Sequence, residues 1–176
     1  WSSDVCSSDL AHPSEVIFTS GGTEANNIIV HGVALKNPQS TLVRSTIEHP
    51  CVARPMEALI HQGWQQGILK VNHDGVVMDD AYKNVDAKNI SLVSVMLANN
   101  ETGAIQDMSA LSHFAKEKKA LSHTDAVQAF GKMDVRFDEL QIDAMTLSSH
   151  KIYGPQGVGA LILNKRSDIE PLIYGG

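Results

Sequence analysis

Four polar clusters in this chain each follow a short apolar or β-branched run: Ser20-Gly21-Gly22-Thr23, Asn99-Asn100-Glu101, Asp125 to Gln128, and Ser148-Ser149-His150-Lys151. Each carries a residue type with chemistry to offer. A lysine at a strand end, followed by a Gly/Pro loop (Gly154, Pro155, Gly157), is a fixed amine that could form a Schiff base once neutral. The plain alternative is a solvated surface lysine. Asp125, if buried, could hold a protonated ring nitrogen by a charge-assisted hydrogen bond. It could equally cap a helix. Gln128, three residues on, faces the same way if a helical turn starts there. The Gly21-Gly22-Thr23 turn before a helix offers free N–H groups and a positive dipole end, a seat for phosphate. The competing reading is a tight turn with Thr23 as N-cap. Neither the dinucleotide fingerprint nor the Walker pattern is present.

These clusters have value only if the fold converges them. Strands are expected over 15–20, 41–45, 67–71, 91–97, 120–124, 144–148 and 158–163. Helices are expected over 23–35, 50–61, 79–85 and 108–118. Pro38 closes the first helix and Pro50 opens the second. The alternation predicts an α/β three-layer fold with a mostly parallel mixed sheet. In such sheets ligands bind beyond the carboxyl ends of the strands, where all four clusters lie.

Composition narrows the function classes. The chain has 176 residues, 43% apolar and 19% charged, with net charge −6. It is expected to be globular, with no nucleic acid partner and no membrane span. Two cysteines, Cys6 and Cys51, make no disulfide framework, so a reducing compartment, the cytoplasm, is expected. His12, His31, His61, His73 and His113 lack metal-ligand spacing, so no metal site is expected. His123, in the strand before Asp125, is read as a packing or orienting residue.

The first ten residues, WSSDVCSSDL, are Ser-rich and without period. Back-translated, they resemble the end of a common sequencing-library adapter. Residues 1–10 are therefore read as adapter read-through and set aside. That removes Cys6, Asp4 and Asp9, and brings the net charge to −4.

Five segments carry a family resemblance: FTSGGTEANN (18–27), TIEHPCV (46–52), LANNETGAIQ (97–106), HTDAVQAFGK (123–132) and LSSHKIYGPQGVGAL (147–161). Together they resemble the cysteine desulfurases of the NifS/IscS-like branch, in the class V aminotransferase group of pyridoxal-phosphate (PLP) enzymes. The resemblance implies part of the large domain of a fold-type I PLP enzyme over 11–176. The opening segment and the small C-terminal domain are expected to lie outside it.

The same resemblance implies roles for particular residues. Lys151 would carry PLP and act as general base. Gly22, Thr23, Ser148 and His150 would bind its phosphate. Asp125 would pair with the pyridine nitrogen and Gln128 with the ring hydroxyl. Asn100 would sit near that hydroxyl and the substrate carboxylate. His49 would stack on the ring and move protons. Glu101 is expected to brace the Asn100 turn. The substrate would be L-cysteine, the partner a sulfur acceptor such as an iron–sulfur scaffold, and the assembly a homodimer. The nucleophilic cysteine is expected downstream of residue 176, with Cys51 in the first helical turn after His49. The fragment is thus expected to be inactive alone. The rival readings are another class V enzyme, such as a selenocysteine lyase or an aminotransferase, and a non-catalytic α/β nucleotide-binding fragment.

Overall fold

A computed structural model describes residues 11–175. The decapeptide set aside above falls outside the described residues. Seven strands form one mixed sheet: β1 (Val16–Thr19), β2 (Thr41–Ser45), β3 (Gln65–Leu69), β4 (Ile90–Ser94), β5 (Leu121–Asp125), β6 (Ala144–Ser148) and β7 (Gly159–Leu163). The order across the sheet is β1-β7-β6-β5-β4-β2-β3. Strands β3, β2, β4, β5 and β6 run parallel, and β7 is antiparallel to both its neighbours. Two successive reversals return β1 to the common direction. The carboxyl ends of β1, β2, β4, β5 and β6 therefore share one edge.

The helices are α1 (Gly22–Lys36), α2 (Pro50–Ile60), α3 (Asp79–Lys83), α4 (Met108–Lys118) and α5 (Phe137–Leu140). Adjacent strand residues point to opposite faces, and each face has its own core. Leu42, Leu92, Ala144 and Leu161 pack with Ile29, Val33, Val52 and Met56 of α1 and α2. Val43, Val93, Met145 and Ile162 pack on the other face with Tyr82, Leu111, Phe114 and Phe137. Helix–sheet–helix layering follows, as expected.

Several boundaries differ from the sequence reading. The third strand spans 65–69, not 67–71, because β2 pairs it from Thr41↔Gln65 to Ser45↔Leu69. The fourth ends at Ser94. Residues beyond it still follow β5, with Val95 N–H donating to His123 O and Leu97 N–H to Asp125 O. Thr23 does not cap α1. Gly21 holds the N-cap position without a side-chain bond, and Thr23 lies in the first turn. The short helix α5 was not expected.

His123 knits the sheet from within. It is fully buried on β5, with Nδ1 2.8 Å from Ser94 Oγ on β4 and Nε2 3.1 Å from Thr146 Oγ1 on β6. Burial pushes its pKa down to about 3, so the ring is neutral. Its role is packing and strand-to-strand bridging.

The turn entering α1 is fixed by contact between backbones. Gly21 has φ 155°, a conformation that favours glycine. A Cβ on Gly159 of β7 would lie 2.6 Å from Gly21 Cα and 2.9 Å from Leu147 O. Backbone cannot yield as a flexible side chain can. Gly159→Ala is expected to cost about 1–3 kcal/mol by overpacking, read by denaturant unfolding. An unchanged midpoint would show that β7 and the Gly21 turn are not held this closely.

Candidate active site

The common edge of the sheet opens into a cavity of about 350 Å3. Gly22, Thr23, His49, Asn100, Asp125, Gln128, Ser148, His150 and Lys151 all line it. The nine residues to which the resemblance gives a cofactor role therefore meet in one place. A second groove, between α3 and α4, contains none of them.

Asp125 is the last residue of β5 and only 4% exposed. Its Oδ2 accepts from Asn26 Nδ2 at 2.8 Å, and its Oδ1 from Val127 N–H at 3.0 Å. The buried carboxylate is seen, but Asp125 does not cap a helix: the residues after β5 form only a turn, which its Oδ1 closes at Val127. Burial raises its pKa, while the Val127 and Asn26 hydrogen bonds pull it down. A cationic partner placed in the cavity would favour the charged carboxylate.

Behind it lies a second buried acid, Glu48. Its Oε1 accepts from Met96 N–H at 2.8 Å and is hydrogen-bonded by the Ser45 hydroxyl, while Oε2 is buried without a partner. Desolvation, with a smaller push from Asp125, raises its pKa to about 8. A neutral acid is far less costly to bury than an unpaired carboxylate.

The turns that present the remaining groups are set by side chains. Asn99 Oδ1 accepts from Glu101 N–H and Thr102 N–H, both at 2.9 Å, and from Thr102 Oγ1 at 3.1 Å. Its Nδ2 donates to Ile47 O at 3.1 Å. The brace of the Asn100 turn is therefore Asn99, not Glu101, whose contribution is a backbone N–H. Gln128 lies in the turn that begins at Ala126, and its Oε1 accepts from Lys132 Nζ at 2.6 Å.

Lys151 lies in a 3-10 turn, Ser149–Ile152, directly after β6. Ser149 anchors the loop. Its N–H donates to Val158 O, its hydroxyl to Pro155 O, and its carbonyl accepts Gly154 N–H. Ser148 Oγ lies 2.7 Å from His150 Nδ1. Among the described residues Lys151 is exposed, so burial of its amine is not seen.

At the N-terminus of α1, Ala25 N–H is the first to close a helical bond, to Gly21 O. The N–H groups of Gly22 and Thr23 precede it in the first turn, which has no earlier helical carbonyl to bond, and both residues line the cavity. A Cβ on Gly22 would lie 2.9 Å from Val127 Cγ2 and 3.7 Å from Ser148 Cβ, so glycine lets this turn approach the sheet.

Glu24 lines the cavity without having been nominated from the sequence, and three further contributors escaped that reading. Asn26, fully buried on α1, binds Asp125. Met96 lines the cavity. Cys51 was placed correctly in the first turn of α2, yet it too lines the cavity. Its thiol is half-buried, and desolvation pushes its pKa up to about 11. A position one helical turn after Gly22 could have flagged Asn26; nothing local marked Met96. Among the described residues, no group of three or more His, Cys, Asp or Glu is arranged to hold a metal.

A mostly parallel sheet with convergent polar residues at its carboxyl edge defines a ligand-binding α/β domain. The family model described as Aminotransferase class-V matches residues 9–176, and the chain belongs to that family. Over 168 residues it is 44% identical to "Cysteine desulfurase IscS" of Dictyoglomus turgidum, covering 94% of this chain and 43% of that protein. Over 170 residues it is 38% identical to "Cysteine desulfurase, mitochondrial" of Saccharomyces cerevisiae, covering 94% and 34%. Among solved structures, a "NifS-like protein" superposes with TM-score 0.88 at 37% identity, covering 93% of this chain and 46% of its own. "SspA in complex with cysteine" does so with TM-score 0.88 at 36% identity, covering 93% and 48%. The chain spans less than half the length of these relatives.

Glu48 makes stability depend on pH. The folded protein holds a proton that the unfolded chain releases, so this contribution is full below pH 4.5 and is lost as pH rises through about 8. Unfolding of wild type and Glu48→Gln across that range should show wild type losing stability relative to the glutamine variant. A difference between them that stays constant with pH would mean the folded carboxyl is already ionised.

Proposed function

We propose that the protein carrying this chain is a PLP-dependent cysteine desulfurase. It takes sulfur from L-cysteine, releases L-alanine, and passes the sulfur as a persulfide to an acceptor such as an iron–sulfur scaffold. The observation that carries the reading is the meeting of Lys151, buried Asp125 and the α1 N-terminus in one cavity.

The donor set fits the cofactor. Gly22 and Thr23 offer backbone N–H groups for a phosphate, with the Thr23 hydroxyl, Ser148 and His150 beside them. Asp125 lines the cavity where burial penalises its charge, so a cationic partner there would offset that penalty, which suits a protonated pyridine nitrogen. Gln128 and Asn100 line the same cavity and would hydrogen-bond the ring hydroxyl, with Asn100 also near the substrate carboxylate. His49 would pack against the ring. When bound, PLP supplies an electron sink for the charge left at the substrate Cα.

The remaining steps belong to the chain's own residues. Lys151 would hold the cofactor through its amine, and the same amine is the group that would serve as general base toward the substrate Cα proton. Asp125 would keep the ring nitrogen protonated. His49 would fix the ring and move protons. Cys51, packed between His49 and Asn26 and held as a thiol, is unsuited to attack the substrate sulfur, which supports a nucleophile outside 11–175. No helix among the described residues is long and apolar enough to cross a membrane. The family resemblance, not that absence, supports a homodimer, and the lack of a disulfide framework supports a reducing compartment such as the cytoplasm.

The test uses the full-length protein. Added PLP should give a visible absorption band that Lys151→Ala abolishes, and L-cysteine should yield sulfide, with loss of the lysine base lowering turnover by about 10²–10⁴-fold. No band with wild type would refute the cofactor. A band without sulfide release would make the protein a different class V enzyme.

A further inference from the structure

Cys51 lies at the meeting point of two hydrogen-bonded side chains. His49 caps α2: its Nδ1 accepts Cys51 N–H at 3.2 Å and stands 2.8 Å from Cys51 Sγ. A ring nitrogen that accepts a backbone N–H carries no proton of its own. Between Sγ and Nδ1 the hydrogen therefore belongs to sulfur, and the thiol donates. On its other side, Sγ accepts from Asn26 Nδ2 at 2.9 Å. The same amide nitrogen donates to Asp125 Oδ2 at 2.8 Å. The direction of every hydrogen bond from Asp125 to His49 is thereby fixed. Burial, which keeps Cys51 protonated, agrees with the thiol as donor.

We propose that Cys51 is a positioning residue: its thiol, held by Asn26, locks His49 in the neutral tautomer that carries its proton on Nε2. With Nδ1 committed to the α2 N-terminus, Nε2 is the nitrogen left to the cavity. His49 then presents a hydrogen-bond donor there rather than a lone pair. Asp125, Glu24, His150 and Lys151 line the same cavity, and Glu48 lies buried beside it, so the donor's direction decides which of their partners it can serve. The proposal rests on the reading of His49 as a residue facing the cofactor. It adds a group that sets the ring's protonated face.

The alternative is that Cys51 merely fills volume at the helix start. The two differ in what serine does. Serine keeps a donor of similar size, and alanine does not. The full-length protein, with 15N-labelled histidine and without added cofactor, is examined by NMR for the His49 ring nitrogens. Wild type and Cys51→Ser should show Nε2 protonated and Nδ1 bare. In Cys51→Ala the population with Nδ1 protonated should rise severalfold, because the longer backbone contact alone holds the ring less firmly. A wild-type ring protonated on Nδ1 overturns the proposal and needs no variant. So does an alanine variant identical to wild type, or a serine variant that behaves like alanine. Because the readout needs neither cofactor nor turnover, it separates from the test of desulfurase activity: either result can fail while the other stands.

Discussion

A buried carboxylate at the end of a strand sets the terms for the rest of this molecule. Asp125 is withdrawn from water, and an ionised acid there is costly unless its oxygens are occupied. Asn26 reaches it from α1 and Val127 from the turn beyond β5. The first of these bonds joins residues 99 positions apart and ties the layer of α1 to the centre of the sheet. It also requires α1 to begin close to the sheet edge, which the Gly21–Gly159 backbone contact permits.

The same edge accommodates a second acid by a different device. Glu48 lies deeper and stays neutral, with two donors on one oxygen and none on the other. Asp125 sits close enough to Glu48 to oppose its ionisation. One is kept charge-capable by hydrogen bonds on both oxygens, the other relieved by protonation. Neighbouring carboxyls with divergent environments can serve different ends, one facing the cavity and one holding β2 against the backbone at Met96.

Hydrogen-bonded turns, not side-chain bulk, aim the polar groups. Asn99 closes the loop bearing Asn100, Ser149 closes the loop bearing Lys151, and His49 starts its own helix. Each device includes a bond within a few residues, and Asn100, Lys151 and His49 all line the cavity. The apolar layers contribute by holding the strand ends level, through Leu42 and Leu92 on one face and Val43 and Val93 on the other.

Much of this was legible in the residues. The alternation of runs predicted the three layers, and 108–118 and 144–148 were bounded correctly, because strong periodicity and clear turn residues flank them. The strand-end clusters named the residues that line the cavity, since a parallel sheet places all such ends on one edge. The sequence did not reveal Thr23's loss of the capping role or the shift of β3, and it left open whether Lys151 is buried or solvated, because caps, register and solvent access depend on neighbours distant in the chain. Nor could it disclose Asn26 beside Asp125, or Cys51 between His49 and Asn26. Local pattern fixes which face of an element is apolar and where it turns. Which polar atoms come within hydrogen-bonding distance across elements is decided only when the layers pack.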